Sequence, residues 1–345
     1  MLFRSGKATV TAFCGVFWEF MSFFPAMAGV LVSSGKLREL ETAIEASLRG
    51  KPDAVRMALV CLLARGHLLI EDVPGVGKTT LAQALARSVD GSFHRLQFTS
   101  DMLPSDVLGV TIYNSRSGEF EFKPGPVFAN FLLADEINRT TPKTQSALLE
   151  AMNEQQVSVE GRPLPLPEPF MVIATQNPVE HHGTYPLPES QLDRFLMRIR
   201  IGYPDAASER GILRQGEAQH GDCTPRVLSL AELRELQDAV KQVAVDEAIV
   251  SYLLTIVART RNHEGLALGV SPRGAQALYR AVQAYAVLEG REYALPDDVK
   301  ELALPVLAHR VAAASRSVPA MRRNGAGAVA ESILQEILNQ VEVPI

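Results

Sequence analysis

Lys78 and Thr79 close the run Glu71-Asp-Val-Pro-Gly-Val-Gly-Lys-Thr79, which stands between an apolar segment, His67-Leu-Leu-Ile70, and a helical one beginning near Thr79-Thr80-Leu81. A strand, a glycine-rich turn and a helix in that order aim backbone N–H groups and a helix N-terminus at one point, which suits phosphate. The residues placed to touch such a ligand are Asp72, Val73, Pro74, Gly75, Val76, Gly77, Lys78, Thr79 and Thr80. Gly75 and Gly77 let the backbone approach closely, Lys78 reaches for the β- and γ-phosphates of a nucleotide, and the Thr79 hydroxyl suits Mg²⁺. The usual pattern is G-x-x-x-x-G-K-[ST], and Asp72 replaces its first glycine. Aspartate tolerates unusual φ better than most residues, so the loop is expected to close.

A second apolar run, Phe131-Leu-Leu-Ala134, ends in Asp135 and Glu136. At the carboxyl end of a parallel strand, both acids face the crevice where open α/β sheets bind ligands. Asp135 is then placed to hold Mg²⁺ through water and Glu136 to polarise an attacking water. Alone, an Asp-Glu pair after a strand reads as a solvated helix start; the phosphate loop reverses that balance. A further strand, Phe170-Met-Val-Ile-Ala174, runs into Thr175-Gln-Asn-Pro178, where Asn177 is placed to hydrogen-bond the γ-phosphate or the water. Asn-Pro is also a common turn, and the neighbouring site chemistry favours the functional reading.

These residues require elements to hold them. From Gly35 to Tyr203, short apolar strands alternate with amphipathic helices, the pattern of an α/β layer fold with a parallel sheet. Phe93–Phe98 supplies one more strand, and two alternating segments around Asn114–Gly118, within Val110–Lys123, read as a β-hairpin. Gln156–Pro165, turning at Glu160-Gly161, reads as a second hairpin. After Tyr203-Pro204 helical periodicity takes over, through Ser229–Lys241, Asp246–Arg261, Pro272–Glu289 and Pro296–Ala314. Ser229, Asp246 and Ser271 are the expected N-caps. A last helix, about Ala326–Val341, follows a glycine-rich break at Arg322–Gly327. The chain thus divides into an extension over 1–34, a nucleotide-binding αβα core over 35–203 and a helical lid over 204–345.

Composition bounds the reading. At 345 residues and 47% apolar content the chain can bury a core and one further domain. With 34 basic against 39 acidic residues and a net charge of -5, the balance argues against nucleic acid as the main partner. Cys14, Cys61 and Cys223 show neither pairing nor metal-ligand spacing, which suits a reducing cytoplasm. The apolar stretch from Ala8 to Val32 follows Arg4 and Lys7. It carries three readings: a mis-assigned start with Met27 near the true beginning, a signal or membrane anchor, or an ordered accessory segment. Glu19 and Pro25 interrupt the run and weigh toward the first, so membrane association stays open through residues 1–34.

The segments Glu71–Thr79, Leu133–Met152, Ile173–Glu180 and Gly183–Phe195 resemble the MoxR family of AAA+ ATPases, and the match runs in order from about Gly35 to Val341. The two hairpins are similar to inserts shared with the magnesium-chelatase motor subunit and the MCM helicases. The resemblance implies ATP and Mg²⁺ at the loop, assembly into a hexameric ring, and chaperone-like work on a protein client, in some cases a von Willebrand factor A domain protein. It also implies roles for two arginines. Arg194, in Leu-Asp-Arg-Phe195, matches a finger that enters the neighbouring subunit's ATP site; the plainer reading is a surface arginine paired with Asp193. Arg273, in Ser-Pro-Arg-Gly274, matches a second sensor that contacts phosphates from the lid. His181-His182 invites a metal, but no third ligand is near and the family uses none. Alternatives from the same branch are a nucleic-acid translocase and a metal-chelatase motor. The mixed charge of the hairpins, with Arg116 and Lys123 beside Glu119 and Glu121, makes a poor surface for tracking phosphates.

Overall fold

The computed structural model describes residues 25–159, 161–177, 184–215, 224–314 and 326–344. The apolar run up to residue 24, Cys14, Cys223, the turn residue Glu160, the His181-His182 pair and the break at 322–325 lie outside them.

The chain enters through α1 (Pro25–Ser47) and α2 (Pro52–Leu63). Helix α1 runs without interruption across the boundary expected at residue 35, and it buries Leu37, Leu40 and Ile44 against the core. Then come β1 (Leu68–Glu71), α3 (Lys78–Ser88), β2 (Phe93–Gln97), α4 (Pro104–Leu108), a hairpin of β3 (Gly109–Asn114) and β4 (Glu119–Pro124), and β5 (Phe131–Asp135). Helix α5 (Pro142–Glu154) leads into the second hairpin, β6 (Gln156–Val159) and β7 (Arg162–Pro165). After these, β8 (Met171–Gln176), α6 (Glu189–Leu192) and β9 (Met197–Ile199) complete the core. Both hairpins fall where their alternation placed them. The three-residue β9 carries no periodicity of its own and was not legible.

The five core strands form one parallel sheet in the order β2-β5-β8-β1-β9. Strands β5 and β8 are buried at every position but their last, and apolar there except for Thr175, because helices cover both faces of a parallel sheet. Alternate residues feed two cores. Leu68, Ile70, Leu133 and Ile173 pack with α1, α2, α3 and the lid, while Leu69, Leu132, Ala134 and Val172 pack with α5 and Phe98.

The lid comprises α7 (Ala206–Gln215), α8 (Leu230–Val240), α9 (Glu247–Asn262), β10 (Leu266–Leu268), α10 (Pro272–Leu288), α11 (Pro296–Leu307), β11 (Ala312–Ala313) and α12 (Ala326–Gln340). Ser229, Asp246 and Ser271 cap α8, α9 and α10 by accepting from Glu232, Ala248 and Gly274 N–H. The helix expected over Pro296–Ala314 stops at Leu307 instead, and the chain turns into β11, which pairs with β10. Its extension would carry away His309 and Arg310, whose side chains bind the Phe195 carbonyl in the core. Among the described residues, no helix is long and apolar enough to cross a membrane.

Candidate nucleotide site and a second, arginine-lined cavity

The loop after β1 is built on two residues in positive φ, Gly75 at 85° and Gly77 at 97°. Gly77 caps α3, and Cβ growth there would also run into Leu48. Asp72 does not use the left-handed region, so the reason anticipated for tolerating it is not the operative one. Its buried carboxylate instead accepts three backbone N–H groups, Val73 at 2.8 Å, Ile201 at 2.7 Å and Gly202 at 2.6 Å. Glycine could not supply this tie between the loop and the segment after β9.

Residues Pro74 to Thr80 line one wall of a cleft of about 640 Å³, and Asp135, Glu136 and Asn177 line the other. Leu48, Lys51 and Pro204 close a further side, where the core meets the lid. Lys78 Nζ donates to the Asp72 carbonyl at 2.6 Å. Burial pushes its pKa down, and the charges of Asp135, Asp72 and Glu136 pull it back up, so the ammonium sits among acids that favour its charged form.

Asp135 accepts from Thr175 Oγ1 at 2.6 Å and from the Arg95 guanidinium at 2.6 Å. Glu136 takes φ 58°, a left-handed turn that ends β5 and is costly for a residue other than glycine. Its N–H donates to Thr175 Oγ1 at 2.9 Å, and its carboxylate accepts from Gln97 at 2.6 Å and pairs with Arg139 at 3.0 Å. Arg95, Gln97, Arg139 and Thr175 were not read from the sequence as part of the site. The available signal was weak: Arg95 and Gln97 are polar residues two apart on one face of a strand bordering the acidic one.

The donors fit Mg²⁺. The Thr79 hydroxyl and the Asp135 carboxylate face one cleft, a sparse set of hard oxygens of the kind Mg²⁺ combines with phosphates and water. Among the described residues, no cluster of three or more His, Cys, Asp or Glu forms a rival site.

Arg194 and Arg273 are not in this cleft. They line a second cavity of about 150 Å³ with Arg65, His67, Asn153, Asp193, Arg280 and Arg310, and the two cavities share no lining residue. His67 and Leu196 immediately precede β1 and β9, whereas the loop and Asn177 follow β1 and β8 and Asp135 is the last residue of β5. The second cavity therefore lies at the amino end of the sheet and the cleft at its carboxyl end. Arg273, expected to contact phosphates from the lid, lines this second cavity and not the cleft of its own chain. The cause is the seating of α10: it packs on α2, and the Ser271 hydroxyl donates to Asp193 at 3.2 Å, fixing the start of α10 beside the core's Arg194. Asp193 is further paired with Arg310, so the Asp193–Arg194 surface pair does not form; Arg194 donates to the Leu149 carbonyl at 2.6 Å. Burial pushes the Arg310 pKa down to about 10, against the pull of Asp193.

A parallel sheet of this order, a phosphate loop and a helical lid define an AAA+ P-loop ATPase. The family model described as the ATPase family associated with various cellular activities (AAA) matches residues 67–197, and that of the AAA lid domain matches 258–337. Chaperone MoxR1 of Mycobacterium tuberculosis is 46% identical over 76% of this chain and 72% of its own length. YeaC of Bacillus subtilis is 50% identical over 86% of this chain and 91% of its own. Protein MoxR of Paracoccus denitrificans is 34% identical over 80% and 88%. A crystal structure from Cytophaga hutchinsonii, of a protein provisionally assigned as an ATPase, superposes with a TM-score of 0.84 at 36% identity, covering 94% of this chain and 100% of that one. The chain belongs to the MoxR family of AAA+ ATPases.

Proposed function

We propose that the protein hydrolyses ATP in a ring of its own copies, a hexamer on the family pattern, and uses the cycle for chaperone-like remodelling of a partner protein in the cytoplasm. The observation that carries the ATPase reading is the convergence of Lys78, Thr79, Asp135, Glu136 and Asn177 on one cleft. Backbone N–H groups from Gly75 to Thr80 and the Lys78 ammonium cradle the triphosphate. Thr79 and Asp135 would hold Mg²⁺, which would supply charge neutralisation at the phosphates. Glu136 accepts a proton from water as the water oxygen bonds to the γ-phosphorus and the bridging P–O bond breaks, giving ADP and phosphate. Asn177 hydrogen-bonds the γ-phosphate or the water.

Arg194 serves the ATP of the adjacent copy. In support, it lies outside its own chain's cleft, at the other end of the sheet, and Arg273 accompanies it. The remodelling role rests on the naming of Chaperone MoxR1, and a von Willebrand factor A domain protein is the client the family resemblance favours.

Glu136→Gln is the direct test. It should lower ATP turnover by about a hundredfold or more while leaving nucleotide affinity within about twofold. Unchanged turnover removes Glu136 from its role. Stimulation of the wild-type ATPase by single-stranded DNA at moderate salt would overturn the protein-client reading in favour of a translocase.

A further inference from the structure

Five arginines line the second cavity, Arg65, Arg194, Arg273, Arg280 and Arg310, against a single carboxylate, Asp193. Two of the five are held by acids within the fold: Arg65 pairs with Asp238 and Arg310 with Asp193. Arg194 and Arg273 donate only to neutral oxygens, the Leu149 carbonyl and the Asn153 side-chain amide. Arg280 has no hydrogen-bond or ion-pair partner among the described residues.

The arrangement of Arg280 is specific. It follows Arg273 by seven residues on α10, two turns along one helix face and about 10 Å further on. Ala277, between them on that face, also lines the cavity and adds no bulk there. Arg273 and Arg280 additionally border an open hollow of about 430 Å³ with Gln276 and Tyr279, so both stand at the rim where the cavity meets solvent. Arg280 is exposed, yet desolvation and the charge of Arg273 lower its pKa, and Arg273 and Arg280 together oppose the charge on Arg310. Three cations without counter-charge repel one another, and a polyanion arriving from outside would relieve that repulsion. A structural arginine in this position would have taken a carboxylate from its own chain, as Arg65 and Arg310 do.

We propose that Arg280 is a third phosphate-binding cation on the face presented to the neighbouring copy, acting with Arg194 and Arg273 on that copy's ATP. The proposal rests on the reading of Arg194 as a residue acting in trans. The transferring phosphoryl group spreads charge over three oxygens, and three guanidinium groups on one face can meet it from more than one direction.

The test compares Arg280→Gln with Arg194→Ala, each alone and each mixed with Lys78→Ala subunits, scoring ATPase rate and, by size-exclusion with light scattering, ring assembly. ATP binding to the isolated subunit's own cleft reports that each variant is folded. Arg280→Gln should lower turnover about tenfold or more, Arg280→Lys should recover part of it, and mixing with Lys78→Ala should restore activity where an intact cleft meets an intact Arg280. A wild-type rate for Arg280→Gln beside an inactive but rescuable Arg194→Ala overturns the role of Arg280 and spares the reading beneath it. A loss for Arg280→Gln that mixing does not restore, when the Arg194→Ala loss is restored, places Arg280 in its own subunit and also overturns it. Arg194→Ala rings that turn over normally, or stay dead in every mixture, bring down the trans reading and the proposal with it.

Discussion

Asp72 shows why a departure from a motif has to be judged by what the replacement touches. The carboxylate occupies the position where phosphate loops usually carry glycine, and there it receives three backbone N–H groups from two segments of chain. Hydrogen bonds to a buried charge contribute about 1.5–3 kcal/mol each, and orphaned donors add a cost. Asp72→Gly, which would restore the common pattern, is therefore expected to destabilise the protein by about 3 kcal/mol or more and to weaken nucleotide binding. Urea unfolding is the check; an unchanged or raised midpoint would refute this account. Glu136 makes a similar point. Its identity was legible, but its left-handed backbone and the grip of Gln97 and Arg139 depend on residues far apart in sequence.

Strand β1 carries the coupling between elements, because its two ends do different work. At its entrance, His67 Nδ1 accepts the Val172 N–H at 3.0 Å and Nε2 lies 3.1 Å from the Met152 carbonyl, so the neutral ring ties β1 to β8 and to the end of α5. Burial pushes the His67 pKa down to about 4. A histidine whose folded pKa lies below its unfolded value, about 6.5, leaves stability intact above the unfolded value and erodes it as pH falls toward the folded one. The loss from this group between pH 7.5 and pH 5 is about 2 kcal/mol. Denaturant unfolding at the two pH values, compared with His67→Gln, reads it directly: the variant should show a correspondingly shallower dependence, and an equal slope in both proteins would refute the assignment. At the other end of the strand, Glu71 pairs with Arg198 at 3.1 Å, and Arg198 pairs in turn with Glu331 of α12. The last lid helix is thus tied to the strand that feeds the phosphate loop.

For the molecule as a whole, the cleft and the arginine cavity occupy opposite ends of one parallel sheet. In the proposed ring, the loop at one end of the sheet and the arginines at the other would meet between copies arranged head to tail, an arrangement that closes when the rotation between copies allows it. Specific ATPase activity should accordingly rise with protein concentration across the range in which light scattering shows assembly, and plateau once rings dominate. Flat specific activity from monomer to ring would contradict catalysis shared between copies. The hairpin of β3 and β4 stands out from this body with Tyr113 and Phe120 largely exposed and paired across the strands, 5.4 Å between ring centroids.

The local pattern of the chain was enough to place the glycine-rich loop after β1, the acids at the end of β5, Asn177 just after β8, both hairpins, the parallel αβα core and the capped lid helices. Each is written in contiguous residues with its own periodicity or spacing. What only the tertiary structure decided depends on segments meeting across the fold. The early end of the helix at Leu307 follows from the anchoring of His309 and Arg310 on the core, and the short β9 exists because a neighbouring strand pairs with it. The placing of Arg273 and Arg280 beside Arg194, away from their own chain's nucleotide cleft, follows from the seating of α10 on α2 and the tether from Ser271 to Asp193. A helix's own sequence fixes which face is apolar, whereas the end of the sheet on which its charged face arrives is set by its packing partners.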